Sequence, residues 1–234
     1  MSRVGIVADI HAPFTHCKYL DFVRDTFRLH KVNKIVFIGD LVDAHCLGFW
    51  EHSPEGMSAG DEASAAHTQI QRWRKQFPKA SVCIGNHDER QYRVARKAGL
   101  PDRYIKSYAT IWETPGWDWQ FSHLIDDVAY THGTACSGKD AAINLAIQRR
   151  ESTVIGHVHS WPGVKFHANE TSRIFGMNVG SGVDVRAYAF SYGRDFPTRP
   201  VLGCGVVIDG KLPYFIPMPC GKGERYNRAR AGKK

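Results

Sequence analysis

The chain has 234 residues, 43% of them hydrophobic and 23% charged, which is enough apolar material for a substantial core and excludes general disorder. No apolar run approaches the roughly 20 residues that span a bilayer, and residues 1–3 lead straight into a short apolar strand rather than a signal segment. The formal net charge of +8 admits polyanionic partners and says nothing of fold.

Residues 4–8 and 34–38 are β-branched runs that each end at an acidic motif. Residues 17–32 between them carry Leu20, Val23 and Phe27 at helical spacing, so the pattern predicts a βαβ unit. A second helix is expected over 61–77, closed by Pro78, then a strand over 80–84 and a helix over 89–98 stopped by Gly99 and Pro101. Residues 117–121 alternate as a strand would, 128–130 lead into His132, and a helix over 139–150 precedes a strand over 153–155. Antiparallel strands are expected over 164–167, 173–179, 201–208 and 212–216, the last two joined by an Asp209-Gly210-Lys211 turn. One domain over 1–218 is expected, followed by a flexible basic segment over 219–234 that contains Arg225, Arg228, Arg230, Lys233 and Lys234. Residues 44–60 and 184–200 have no scaffold role in this scheme and are the candidate substrate-facing insertions. The six cysteines lack a Cys-x-x-Cys pair and read as reduced thiols, with a cytoplasmic location expected.

Five polar pieces follow these strands in order: Asp9-Ile10-His11, Gly39-Asp40-Leu41-Val42-Asp43, Gly85-Asn86-His87-Asp88, His132-Gly133 and Gly156-His157-Val158-His159. Singly, each residue reads equally well as a turn former, a helix cap or an ordinary core or surface histidine. Together they offer carboxylate, imidazole and amide oxygen without thiolate, a mixture suited to manganese, iron, zinc or nickel in a catalytic role. Each falls at the carboxyl end of a strand, where open α/β folds place ligands.

The ordered set resembles the calcineurin-like metallophosphoesterase superfamily, over residues 4–182 and more loosely beyond. The resemblance implies a two-sheet α/β sandwich flanked by helices, with a dinuclear metal site at strand carboxyl ends. It implies that Asp9, His11 and His159 hold one divalent ion, that Asn86, His132 and His157 hold the other, and that Asp40 bridges them. Two such ions can clamp a bridging hydroxide and a phosphoryl oxygen. Manganese is the first expectation, with iron, zinc, nickel and magnesium as alternatives. His87 matches the family's general acid and Asp43 the carboxylate that orients it, while Asp88 is expected to cap the following helix.

Protein serine/threonine phosphatases of the superfamily carry an arginine directly after the position of Asp43, where this chain has Ala44, so the resemblance is to the compact bacterial, archaeal and viral phosphoesterases. Residues 177–182 resemble the Asn-Pro-Gly-Ser turn of those members, with Val179 in the proline's place. The implied activity is hydrolysis of a phosphodiester, in a nucleotide or nucleic acid. The alternatives are a phosphomonoesterase acting on a nucleotide, a small phosphate ester or a phosphoprotein, and a metal-binding scaffold without turnover. Arg186 and Arg194, in the second insertion, are the candidate substrate-binding residues. Of the seven unassigned histidines, His45 is the nearest to a motif and is expected to be a bystander.

Overall fold

The structure, a computed structural model, describes residues 1–49, 56–187 and 198–219. Eleven strands form two sheets among these residues. One sheet has six strands in the order β11 (Leu212–Pro217), β10 (Gly203–Ile208), β1 (Arg3–Val7), β2 (Lys34–Phe37), β3 (Ala80–Cys83) and β4 (Trp117–Gln120). The other has five in the order β5 (Ser122–Ile125), β6 (Val128–Thr131), β7 (Ser152–Ile155), β9 (Arg173–Asn178) and β8 (Gly163–Ala168). The expected two-sheet α/β architecture is what the chain adopts.

One apolar core is shared by both sheets, joining Val4, Ile6, Val36 and Val82 of the first to Val128, Tyr130, Val154 and Met177 of the second. Helices cover the outside. Trp73 of α2 (Ala59–Gln76) lies 5.8 Å from Tyr19 of α1 (Tyr19–Leu29) and edge-on to Phe37 of β2, ring centroids 5.7 Å apart. These aromatic contacts fix both helices on the six-stranded sheet. On the second sheet, α5 (Ala141–Arg149) packs so close to β9 that a Cβ at Gly176 would come within 2.3 Å of the Ile143 backbone nitrogen.

Strands β1, β2 and β3 are parallel neighbours, as are β6 and β7. All five polar pieces therefore emerge at strand carboxyl ends. The hairpin expected at Asp209-Gly210-Lys211 forms with φ of 48° at Asp209 and 65° at Gly210, the left-handed pair that matches strand twist. Strand β9, expected among antiparallel strands, pairs antiparallel with β8 and parallel with β7. The sequence reading missed β5 and the one-turn helix α4 (Tyr108–Ile111), both too short to display a period. Helix α2 begins earlier than expected, because Ser58 accepts a hydrogen bond from the Asp61 amide and caps it.

Asp88 departs from expectation. Helix α3 spans Arg90–Lys97 and begins after Glu89, whereas Asp88 is buried and accepts hydrogen bonds from Gly85 N (2.9 Å) and Val42 N (3.2 Å). It joins two motif loops instead of capping a helix. Burial, together with the Asp40 charge, pushes its carboxyl up to about 7.

Among the described residues no helix is long and apolar enough to cross a membrane. Most of the basic C-terminal segment, residues 220–234, lies outside the described residues, as does Arg194.

Candidate metal centre

The motif loops use backbone conformations that side chains normally avoid. His11, Asp40 and His157 have φ of 45°, 46° and 61°, in the left-handed region. Such strain persists only where surrounding structure holds it, and it concentrates at functional sites. It is also how residues spaced two apart at a strand end converge on one point, which a regular pleat forbids.

Two glycines admit the carboxylates. A Cβ at Gly156 would stand 2.1 Å from Asp9 Oδ1, and one at Gly85 would stand 2.2 Å from Asp40 Oδ1. Further anchors set the loops: Gly182 N donates to the Asp9 carbonyl (2.8 Å), and the Asn178 side-chain amide donates to the carbonyls of Val158 (2.6 Å) and Trp161 (3.0 Å). The 177–182 turn thus braces the loop that carries His157 and His159.

Asp9 Oδ2 lies 3.0 Å from His159 Nε2, which in turn lies 3.4 Å from His11 Nε2. Asp40 Oδ2 is 3.1 Å from His132 Nε2 and 3.8 Å from His11 Nε2. His132 Nε2 is also 3.1 Å from Asn86 Oδ1. Donor atoms of Asp9, His11 and His159 fall together as one group, and those of Asp40, His132 and His157 as another. A third group joins His87 to His11 and Asp40. The seven residues proposed as ligands from sequence therefore all lie in one place, with Asp40 beside both sets.

The hydrogen bonds behind these donors decide which nitrogens are available. His11 Nδ1 donates to Asp43 Oδ1 (2.7 Å) and His132 Nδ1 donates to the Ile38 carbonyl (3.1 Å), so both rings turn Nε2 inward as a lone pair. That is the outer support a ligating imidazole uses. Two lone-pair nitrogens facing each other, or one facing two acceptor oxygens, is an arrangement that a cation satisfies. Without an ion a proton fills that place at His132, whose imidazole is pushed up to about 10: burial alone would lower it, but the Asp40 and Asp9 carboxylates outweigh burial. His11 and His157 are held below the ordinary histidine range, chiefly by burial and then by the neighbouring imidazoles, and so stay in the neutral form a metal requires. Asp9 Oδ1 is buried with no hydrogen-bond partner among the described residues. The donor set fits divalent ions.

His87 stands apart from the ligand sets in its own contacts. Its Nδ1 is 2.8 Å from the Asp43 carbonyl and 3.2 Å from Asp43 Oδ1, so Nδ1 carries the proton. Asp43 is consequently shared by His11 and His87, where the sequence reading gave it to His87 alone. Burial would lower the His87 imidazole, yet Asp40 and Asp43 outweigh it and hold the ring above its ordinary value. His45 lies beside Asp43 and outside the donor groups: it is buried, with Nδ1 3.8 Å from Asp43 Oδ2, and Glu62 Oε1 accepts its backbone N–H (2.7 Å).

Sequence reasoning overlooked Arg90. Its guanidinium donates to the Asp43 carbonyl (2.7 Å) and stands 3.1 Å from His87 Nε2. A cation against that nitrogen disfavours a metal ion there and separates His87 from the ligands. The signal available in sequence was the three-to-four spacing of Arg90, Arg93, Arg96 and Lys97 after the third motif. Arg186 is instead held by a two-pronged pair with Asp184, Nε to Oδ1 at 2.9 Å and Nη2 to Oδ2 at 2.8 Å.

Asp43 carries a pH prediction. Two imidazole N–H groups hold its carboxyl well below the ordinary carboxylate range, against the opposing effect of burial. A folded-state value below the unfolded one means that stabilisation is complete above the ordinary value and is lost as pH falls from there toward the folded-state value. The melting temperature of the metal-free protein should therefore fall progressively below roughly pH 4 and go on falling to the lowest pH measured. Asp43→Asn should flatten part of that drop in a pH-resolved calorimetric series, and an unaltered slope would remove Asp43 as its source.

A family model described as calcineurin-like phosphoesterase matches residues 2–176. Among solved structures the chain is similar to a novel archaeal phosphodiesterase, at 15% identity and a TM-score of 0.48, covering 92% of this chain and 99% of that one. It is similar to a metallophosphoesterase from Sphaerobacter thermophilus, at 16% identity and a TM-score of 0.48, covering 93% and 88%. A third similar structure is YfcE, a phosphoesterase from E. coli, at 14% identity and a TM-score of 0.41, covering 88% of each chain. No curated protein matches.

Proposed function

Since the chain belongs to the calcineurin-like phosphoesterase family and is a metal-dependent phosphoester hydrolase, we propose that it cleaves phosphodiesters of nucleotides or nucleic acid at a dinuclear centre. The observation that carries the dinuclear reading is the position of Asp40, whose Oδ2 approaches both His132 Nε2 (3.1 Å) and His11 Nε2 (3.8 Å). Asp9, His11 and His159 would hold one ion, Asn86, His132 and His157 the other, and Asp40 both. Manganese is the ion proposed, on a thiolate-free donor set that mixes carboxylate, amide oxygen and imidazole. When bound, the pair supplies an activated water at neutral pH and neutralises charge on phosphoryl oxygens.

The protein's own groups do the rest. His87, kept above its ordinary value by Asp40 and Asp43, holds a proton for the leaving-group oxygen. Asp43 orients that ring through its carbonyl and its carboxylate. The choice of nucleic acid among diesters rests on the net charge of +8, which favours a polyanionic substrate.

A substrate panel with added manganese tests the reading. It comprises bis-p-nitrophenyl phosphate, p-nitrophenyl phosphate, cyclic nucleotides, and single- and double-stranded DNA and RNA. Hydrolysis of bis-p-nitrophenyl phosphate at least about tenfold faster than the monoester is expected, a difference of about 1.4 kcal/mol in barrier. Preference for the monoester would reverse the substrate assignment, and no turnover with any substrate would remove the catalytic one.

A further inference from the structure

We propose that the exposed face of α3, together with Phe49, is a binding track for single-stranded nucleic acid that leads away from the metal centre. The inference rests on the diester reading above and extends it to what flanks the cleaved phosphate. Helix α3 buries none of its residues and contains four basic side chains and no acidic one. Arg90, Arg93 and Lys97 recur at intervals of three and four, which places them on one side of the helix.

The inner end of this row touches the centre. Arg90 stands 3.1 Å from His87 Nε2, and Arg93 donates to the backbone carbonyl of Asn86. Lys97 lies seven residues further on, a rise of about 10 Å along the helix. Cations in a first helical turn oppose the helix dipole, so Arg90 and Arg93 are poorly placed for helix stability. A requirement outside the helix explains them better.

Phe49 adds a second and different chemistry. It is 67% exposed, and Lys97 Nζ sits 4.0 Å from its centroid with Arg93 Cζ at 5.6 Å. The lysine secures one part of the ring and leaves most of the residue open to solvent. Lys97 has no carboxylate partner among the described residues, whereas Arg96 is already paired with Asp102. Cations for successive phosphates beside an exposed ring for an unpaired base are the two components of single-strand binding. A duplex keeps its base faces stacked and cannot use the ring. Small diesters end before they reach Lys97.

The test uses the full chain. Anisotropy of a fluorescein-labelled oligothymidylate of about 12 nucleotides, in EDTA so that nothing is cleaved, measures binding. Lys97→Glu should weaken it by about tenfold, and Lys97→Ala should reduce the salt slope by about 0.7. Phe49→Ala should weaken oligothymidylate binding by about tenfold and leave binding to heparin, a polyanion without bases, unchanged. Manganese-supported hydrolysis of bis-p-nitrophenyl phosphate should be the same in all three variants, and Phe49 is exposed enough for each to fold, as melting temperatures would verify. Unchanged oligonucleotide affinity in Lys97→Glu and Phe49→Ala overturns the track, and so does an equal loss of heparin and oligonucleotide binding in Phe49→Ala. Failure of the wild type to hydrolyse the small diester, with Phe49-dependent oligonucleotide binding intact, overturns the diester reading alone.

Discussion

Asp40→Asn is expected to reduce phosphodiester hydrolysis by more than roughly 1,000-fold and to lower bound manganese from two ions per chain to one or fewer. Asp40 lies between the two donor groups with Oδ2 near His132 Nε2 and His11 Nε2. Its negative charge is what allows cations to sit close together there. Losing several kcal/mol of charge stabilisation corresponds to a loss of that size, since about 1.4 kcal/mol is tenfold. The fold should survive, because Asp40 Oδ1 accepts the His87 backbone N–H at 2.8 Å and an amide oxygen can accept it equally well. A second readout is independent of activity. In metal-free protein the Asp40 charge is the main factor raising the His132 imidazole, so the variant should bring His132 back toward ordinary histidine values, as a histidine-resolved NMR titration would record. An Asp40→Asn protein that retains full turnover and two ions would refute the site.

His87→Ala should retain both ions and slow hydrolysis by roughly 100-fold to 10,000-fold, the range that removal of a general acid produces. The Arg90 guanidinium at Nε2 and the Asp43 carbonyl at Nδ1 set His87 apart from the rings that offer bare nitrogens. Proton donation matters least when the leaving group is already stable as an anion. The loss should accordingly shrink for nitrophenyl esters and be greatest for alkyl esters. Equal losses for both, or loss of an ion from the variant, would assign His87 to metal binding, the role open to it through its grouping with His11 and Asp40.

Much of this centre is legible in the chain before folding. Residues 4–8, 34–38, 80–84 and 153–155 announce strands by β-branched composition, and each is followed by a polar piece whose donors suit a metal. These strands form where expected, and six of the seven proposed ligands fall in common donor groups, with Asn86 joined to them through its 3.1 Å contact with His132. What misled was local grammar. Asp88 precedes a helix and looks like a cap, yet it is buried and joined to Gly85 and Val42, because a buried amide pair gains more from a carboxylate than an exposed helix start does. Arg186 looks available in sequence, but Asp184 two residues earlier takes its guanidinium.

The sequence by itself determined the inventory: the longer strands and helices, which side chains can bind a cation, and at which ends of which strands they stand. Periodicity and composition are short-range properties, and a hydrophobic pattern reports them directly. Tertiary structure alone decided the partnerships. It shared Asp43 between His11 and His87, aimed His132 Nε2 at Asp40 and Asn86, and brought Arg90 to His87. Those choices depend on left-handed turns at His11, Asp40 and His157 and on packing that brings together donors 150 positions apart, as in the contact of Asp9 with His159. No local preference encodes such contacts, because their geometry exists only once both sheets have closed on a common core.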